Sequence, residues 1–180
     1  GYYRMKGTPA STLLHLGPGL ANGLANLHNA KKANSGIVNI VGQHATYHIE
    51  YNAPLTSDIE GLARPMSSWV RTSPDAKSVA GDGAAAIAAA KGAPPQIATL
   101  ILPADTAWNE ADGVAEVPVE SQRQSYSPQA VDNAAKVLRG GGDTLLLMTG
   151  GAVTEKGLAL AAQIAGKTGC RVMGPLASPR

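Results

Sequence analysis

Three groups of residues in this chain combine side-chain types and spacings that chemistry could use. The first is His15-Leu16-Gly17-Pro18-Gly19-Leu20-Ala21-Asn22-Gly23. A β-like run over residues 10–16 precedes the glycines, and Leu20, Leu24 and Leu27 follow at helical spacing, which predicts strand, glycine loop, helix. Unpaired backbone N–H groups and the positive end of a helix dipole suit a polar ligand at such a junction. A dinucleotide fingerprint wants glycine at its first, third and sixth positions. Here the sixth is Asn22, and Pro18 separates the first two glycines, so a tight turn or a different ligand fits better. His15 ends the strand at the loop mouth, where sheet ligands bind, and can serve either as a proton carrier or as a structural histidine.

The second group is Gly81-Asp82-Gly83 with Asn109 downstream, a spacing that can hold a magnesium diphosphate when the Asp leaves a buried strand. Lys77-Ser78-Val79-Ala80 and the alanines that follow read as helix, and Glu110 stands where a second Asn is wanted, so a solvent-facing helical segment is expected. The third is the stretch from Gly42 to Tyr51, with His44 and His48 four apart and Glu50 beyond. Two histidines on one helix face could bind a metal, but no Glu lies between them and helical periodicity is weak, so a long active-site loop is expected. Nothing resembles a nucleophile elbow, a P-loop or a Cys–His pair.

These groups need elements to position them. Residues 36–41, 67–71 and 96–102 read as further strands, the last continuous rather than alternating in its apolar pattern, as in a parallel sheet covered on both faces. A short helix is expected over residues 57–63. Another follows Ser73-Pro74-Asp75, read as cap plus a proline at the first helical position, and ends at Gly92. The alternation predicts an α/β fold, a parallel sheet flanked by helices. Residues 106–126 lose apolar periodicity and read as a linker between a first domain, 1–105, and a second, 127–180. The second has the pattern of a Rossmann-like α/β domain that begins and is cut off, with Ser127-Pro128 opening its first helix. Gly1-Tyr2-Tyr3-Arg4 reads as a helix tail, and the chain is expected to be a fragment.

Composition excludes several classes. The chain has 180 residues, 44% hydrophobic and 16% charged, and 15 basic against 13 acidic side chains leave a formal charge of +2 with no basic run. Nucleic-acid binding and polybasic membrane attachment therefore have no support. Cys170 stands alone, which fits a reducing, cytoplasmic setting and leaves no side-chain set for zinc. No apolar stretch approaches the roughly 20 residues of a membrane span.

Gly1-Tyr2-x-Arg4, Gly17-Pro18-Gly19-x-x-Asn22, Asn29-Ala30, Gly42-Gln43, Arg64-Pro65 with Trp69, and Leu102-Pro103-x-Asp105 together resemble the pyrimidine-binding domain of thiamine-diphosphate-dependent enzymes. The family is that of acetolactate synthases and benzoylformate decarboxylases. The resemblance covers residues 1 to about 110, and residues 127–180 resemble the opening of the family's central domain, which carries FAD in some members and is empty in many. It implies a thiamine-diphosphate-binding fold with the aminopyrimidine ring against Gly17, Pro18, Gly19, Asn22 and Gln43. It also implies a catalytic Glu before Gly1, Mg2+ and diphosphate held by a further domain, and a site between subunits of a homodimer or homotetramer. The chain alone would then be inactive, with no metal ligand of its own.

His15 stands where benzoylformate decarboxylases carry an active-site histidine, and Leu55 stands in the substrate pocket where acetolactate synthases carry Gln. Gly17-Pro18-Gly19 is the synthase form. The balance implies an acetolactate synthase-like enzyme that decarboxylates a 2-oxo acid and condenses the resulting carbanion with a second carbonyl. The alternatives are a non-ligating decarboxylase, a flavin- or nucleotide-binding module using Gly140-Gly141-Gly142 and Gly150-Gly151, or a catalytically dead interaction subunit.

Overall fold

A computed structural model describes residues 1–118, 125–140 and 143–175, in two compact units, Gly1–Gln122 and Arg123–Arg180. Part of the expected linker, 119–124, and Gly141-Gly142 lie outside the described residues.

The first unit opens with α1 (Tyr2–Lys6), closed by Gly7 at φ 69°, a left-handed position that glycine adopts without a Cβ penalty. Then come β1 (Ala10–His15), α2 (Leu16–Lys32), β2 (Ile37–Gln43), α3 (Ile59–Ala63), β3 (Trp69–Thr72), α4 (Ala76–Lys91) and β4 (Ile97–Pro103). All pairings are parallel, in the order β1-β2-β4-β3, which is the parallel sheet flanked by helices that the sequence pattern predicts.

Strand alternation divides the core between two faces. Val41, Ile97 and Ile101 meet Leu16, Leu20 and Leu27 of α2 and Ile59 and Ala63 of α3. Val38, Ala98 and Leu100 meet Ala86 and Ala90 of α4 on the other side. Full burial of one such Ile or Leu contributes roughly 1.5–3 kcal/mol, so β4, buried on both faces, anchors the unit. A polar rung crosses this core. The Thr12 hydroxyl donates to Asn39 Oδ1 (2.8 Å), Asn39 Nδ2 donates to Thr99 Oγ1 (3.1 Å), and Ser67 and Thr99 hydroxyls share a bond at 2.6 Å. Asn39 is fully buried, and these bonds offset its desolvation.

Two local expectations are corrected. Asp75, whose carboxylate accepts from the Ser78 N–H at 2.8 Å, caps α4, and Pro74 lies before the cap rather than in the first turn. Ser73 is not a cap but a fully buried residue whose hydroxyl points to α4.

The second unit contains α5 (Pro128–Leu138), β5 (Leu145–Leu147), α6 (Glu155–Thr168) and β6 (Arg171–Met173), with β5 and β6 parallel. Ser127 caps α5 with Pro128 at the first helical position, and Thr154 caps α6 through the Gly157 N–H at 3.0 Å. Among the described residues no helix is long and apolar enough to cross a membrane.

Candidate active site

Because the four strands are parallel, their C-terminal ends share one edge, and ligands of open α/β sheets bind beyond that edge. His15, Gln43, Thr72 and Pro103 end the strands there. His15 is in register with Gly42, and Gln43 with Pro103, so the histidine and the Gly42-Gln43 pair occupy neighbouring strand ends.

The expected glycine loop is absent, and this is a correction to the strand, loop, helix reading. Leu16 turns the chain in one step at φ 54°, and Gly17, Pro18 and Gly19 form the first turn of α2. A left-handed leucine costs about 1–2 kcal/mol, which burial of its side chain to 4% exposure offsets. Pro18 is tolerated because first-turn N–H groups have no intrahelical partner.

Each glycine here has a steric role. A Cβ on Gly17 would fall 2.6 Å from the Ser57 Cβ, and one on Gly19 would sit 3.3 Å from the His15 Cβ. His15, Gly19 and Asn22 follow at four- and three-residue intervals along one helix stripe, and Pro18 and Asn22 are one turn apart. His15, Pro18 and Asn22 are exposed, and neither His15 nor Asn22 has a side-chain hydrogen bond among the described residues. Three of the expected cofactor contacts therefore share one open surface, while buried Gly17 only shapes its base.

Residues 44–58, between β2 and α3, contain a 3-10 turn, Thr46–Tyr51, where an irregular loop was expected. Gln43 Oε1 accepts from the His44 N–H at 2.8 Å. The His44 ring meets His48 edge-on at 5.5 Å, and His48 meets Tyr51 at 5.6 Å. His44 Nε2 and Thr56 Oγ1 are buried without a hydrogen-bond partner among the described residues. The Thr46 hydroxyl and N–H donate to both oxygens of Asp105, just beyond β4, at 2.6 and 3.0 Å. The Thr46 hydroxyl first and its N–H second hold the Asp105 carboxyl below the usual aspartate range. Leu55 lies in an exposed turn; its carbonyl accepts from the Ser57 hydroxyl at 3.2 Å, and Ser57 in turn abuts Gly17.

Gly81-Asp82-Gly83 is helical, as expected, but its Asp82 does not face solvent. Asp82 is buried in α4, accepting from Arg71 Nη1 at 2.7 Å and from the Ser73 hydroxyl at 2.8 Å. Its oxygens are committed to the fold, so they do not fit a magnesium diphosphate. Asp82, Ala86 and Ala90, spaced by four, form the sheet-facing stripe, a signal masked by the alanines on every side. No cluster of three metal-ligating side chains occurs among the described residues, and His44 and His48 pack on each other instead. Asp105 and Thr46 are the pair that sequence reasoning gave no role, although Asp105 ends one of the quoted motifs.

The family described as "Thiamine pyrophosphate enzyme, N-terminal TPP binding domain" matches residues 1–63, which span the β1–α2 junction and Gly42-Gln43. Residues 1–63 therefore match the N-terminal cofactor-binding domain of thiamine-diphosphate enzymes. It is 49% identical over 172 residues to a Mycobacterium tuberculosis (strain ATCC 25618 / H37Rv) protein provisionally named acetolactate synthase large subunit IlvX. That alignment covers 95% of this chain and 33% of the relative, so the chain spans about a third of the relative's length.

Among solved structures, a protein isolated from Mycobacterium smegmatis and provisionally described as a thiamin diphosphate-dependent enzyme has a TM-score of 0.84 at 24% identity. It is matched over 97% of this chain and 34% of its own. The thiamine diphosphate-dependent 4-hydroxybenzoylformate decarboxylase of Rhodococcus jostii RHA1 gives 0.78 at 23% identity, over 96% of this chain and 34% of its own. These two likenesses establish the fold.

Proposed function

We propose that this chain is the pyrimidine-binding part of a longer thiamine-diphosphate enzyme that decarboxylates a 2-oxo acid and joins the remainder to a second carbonyl. The observation that carries the reading is the open stripe of His15, Gly19 and Asn22 at the C-terminal sheet edge, its polar side chains without a hydrogen bond among the described residues, beside Gly42-Gln43. These residues fit an aminopyrimidine ring: Pro18 and Gly19 offer an apolar surface, Asn22 a donor and an acceptor, and Gln43 its remaining amide. Bound thiamine diphosphate would supply the electron sink, and this chain would orient its ring and keep water from one side. His15, exposed at the edge, would hold and move a proton at the reacting centre.

The proposal assigns the magnesium and diphosphate to residues beyond the described ones, since Asp82 is committed to Arg71 and Ser73. It also assigns ring protonation to a Glu outside this chain, and a working site between two or more copies. Synthase chemistry is favoured by Gly17-Pro18-Gly19 and by the likeness to the synthase-named relative. His15 and Leu55 favour the second reading, a decarboxylase releasing the aldehyde. A flavin in the second unit gains nothing from Gly150-Gly151, which sit in a 3-10 turn with open space at their Cβ positions.

Product analysis of the full-length protein with pyruvate, thiamine diphosphate and magnesium tests the proposal. Acetolactate supports the first reading and free acetaldehyde the second. Turnover of neither pyruvate nor benzoylformate would leave the interaction-subunit reading and reject both.

A further inference from the structure

The Gln43 and His44 side chains have few bonds of their own at the sheet edge. Among the described residues the one bond of the Gln43 carboxamide runs to the adjacent His44 N–H, and the His44 ring meets His48 edge-on. His44 Nε2 is buried with no hydrogen-bond partner among the described residues, so no bond of that atom sets where it lies. Its placement then depends on packing, buried Ala45 beside it included, and on the backbone on either side. Upstream that backbone is β2, and downstream it is Thr46.

Thr46 is fixed from a distance. Both oxygens of Asp105 accept from it, Oδ2 from the hydroxyl at 2.6 Å and Oδ1 from the N–H at 3.0 Å, across 59 positions of sequence. Asp105 is itself held in the 3-10 turn Ala104–Ala107 directly after β4, where the buried Thr106 hydroxyl donates to the Pro103 carbonyl at 2.7 Å. Gln43 and Pro103 are register partners, so the Thr46–Asp105 clamp continues the β2–β4 pairing beyond the last ladder residue. A carboxylate that accepts two bonds is the strong form of this interaction, and engaging both oxygens fixes orientation as well as distance.

We propose that Asp105 is a positioning residue, which fixes through Thr46 the segment that presents Gln43 and His44 at the cofactor edge. The proposal rests on the function proposed above for what that edge receives; the clamp itself does not.

Amide exchange in the full-length protein, compared for the unaltered protein, Asp105→Ala and Asp105→Asn, tests it. Loss of two bonds to a carboxylate should make local opening about 30-fold easier, so residues 44–48 should exchange at least about 10-fold faster in Asp105→Ala. Residues 38–41 and 97–101 should keep their protection. Asn keeps an acceptor for the Thr46 N–H and should return residues 44–48 to within about threefold of the unaltered chain. The His44 imidazole NMR signals should shift in Asp105→Ala and return in Asp105→Asn.

Unchanged exchange at 44–48, unmoved His44 signals, or equal loss of protection across β2 and β4 would overturn the positioning role. Thiamine diphosphate added to the unaltered full-length protein separates the two ideas. Failure to bind rejects the proposed function, while the exchange result still decides the clamp.

Discussion

Replacing Asp82 separates a structural ion pair from a metal ligand. Its side chain is 8% exposed and its partner Arg71 52%, while Ser73, donating to the other oxygen, is fully buried. Asp82→Ala leaves the Ser73 hydroxyl without its acceptor, a cost of about 1–3 kcal/mol. The Arg71 pair is half in solvent and adds about 0.5–1 kcal/mol after screening. A loss of roughly 3 kcal/mol is expected, which for a unit of this size lowers Tm by about 10 °C. Asp82→Asn keeps an acceptor for Ser73 and gives up the charge, so about 1 kcal/mol is expected. Urea unfolding followed by tryptophan fluorescence reads both variants, because Arg71 lies 5.5 Å over the Trp69 ring and the pair reports on β3. The magnesium requirement of the full-length enzyme should not change. Stability of Asp82→Ala within about 0.5 kcal/mol of the unaltered protein would refute the burial argument, and a raised magnesium requirement in Asp82→Asn would return Asp82 to the metal site.

Gly17→Ala drives a methyl into Ser57, and the overpacking cost of about 1–3 kcal/mol should exceed the roughly 1 kcal/mol gained in helix propensity, so thermal denaturation should show a lower Tm. In the full-length enzyme His15→Ala should lower turnover about 10²–10⁴-fold with little change in cofactor affinity, and Asn22→Ala should weaken cofactor binding first; steady-state kinetics with varied thiamine diphosphate separates them. Asp75, through the Ser78 N–H first and hydroxyl second, and Asp105, through Thr46, titrate below the ordinary aspartate value of 3.8. Folding lowers both values, so the stability they add is fully present above that value and is lost as pH falls through their depressed folded values. Acid unfolding curves of Asp75→Ala and Asp105→Ala should therefore be flatter below about pH 4 than that of the unaltered chain.

The sheet was legible because β4 is apolar but for Thr99 and β2 is apolar but for Asn39 before its last two residues, with no polar alternation, as a strand covered on both faces requires. The start of α5 was legible because Ser127-Pro128 carries both a capping oxygen and a fixed φ. The β1–α2 junction was misread because glycine and proline there signal a loop, and nothing in the residue types announces that Leu16 takes the left-handed turn. Asp82 was misread for a different reason: a small acidic residue among alanines looks exposed until Arg71 and Ser73, eleven and nine positions earlier, are folded against it. The Thr46–Asp105 clamp spans 59 positions, and no local pattern encodes a contact that the β2–β4 pairing creates. The stripe of His15, Gly19 and Asn22 was legible in its members, and its geometry came from the helix beginning one residue after His15.

Amide exchange in the full-length protein, with and without saturating thiamine diphosphate and magnesium, tests the central claim most directly. Slowed exchange in the segments 15–22 and 43–48, with the α4 segment 76–91 unchanged, is the result expected if the C-terminal sheet edge receives the aminopyrimidine ring. Cofactor binding that leaves 15–22 and 43–48 unprotected while slowing exchange around Asp82 would contradict it.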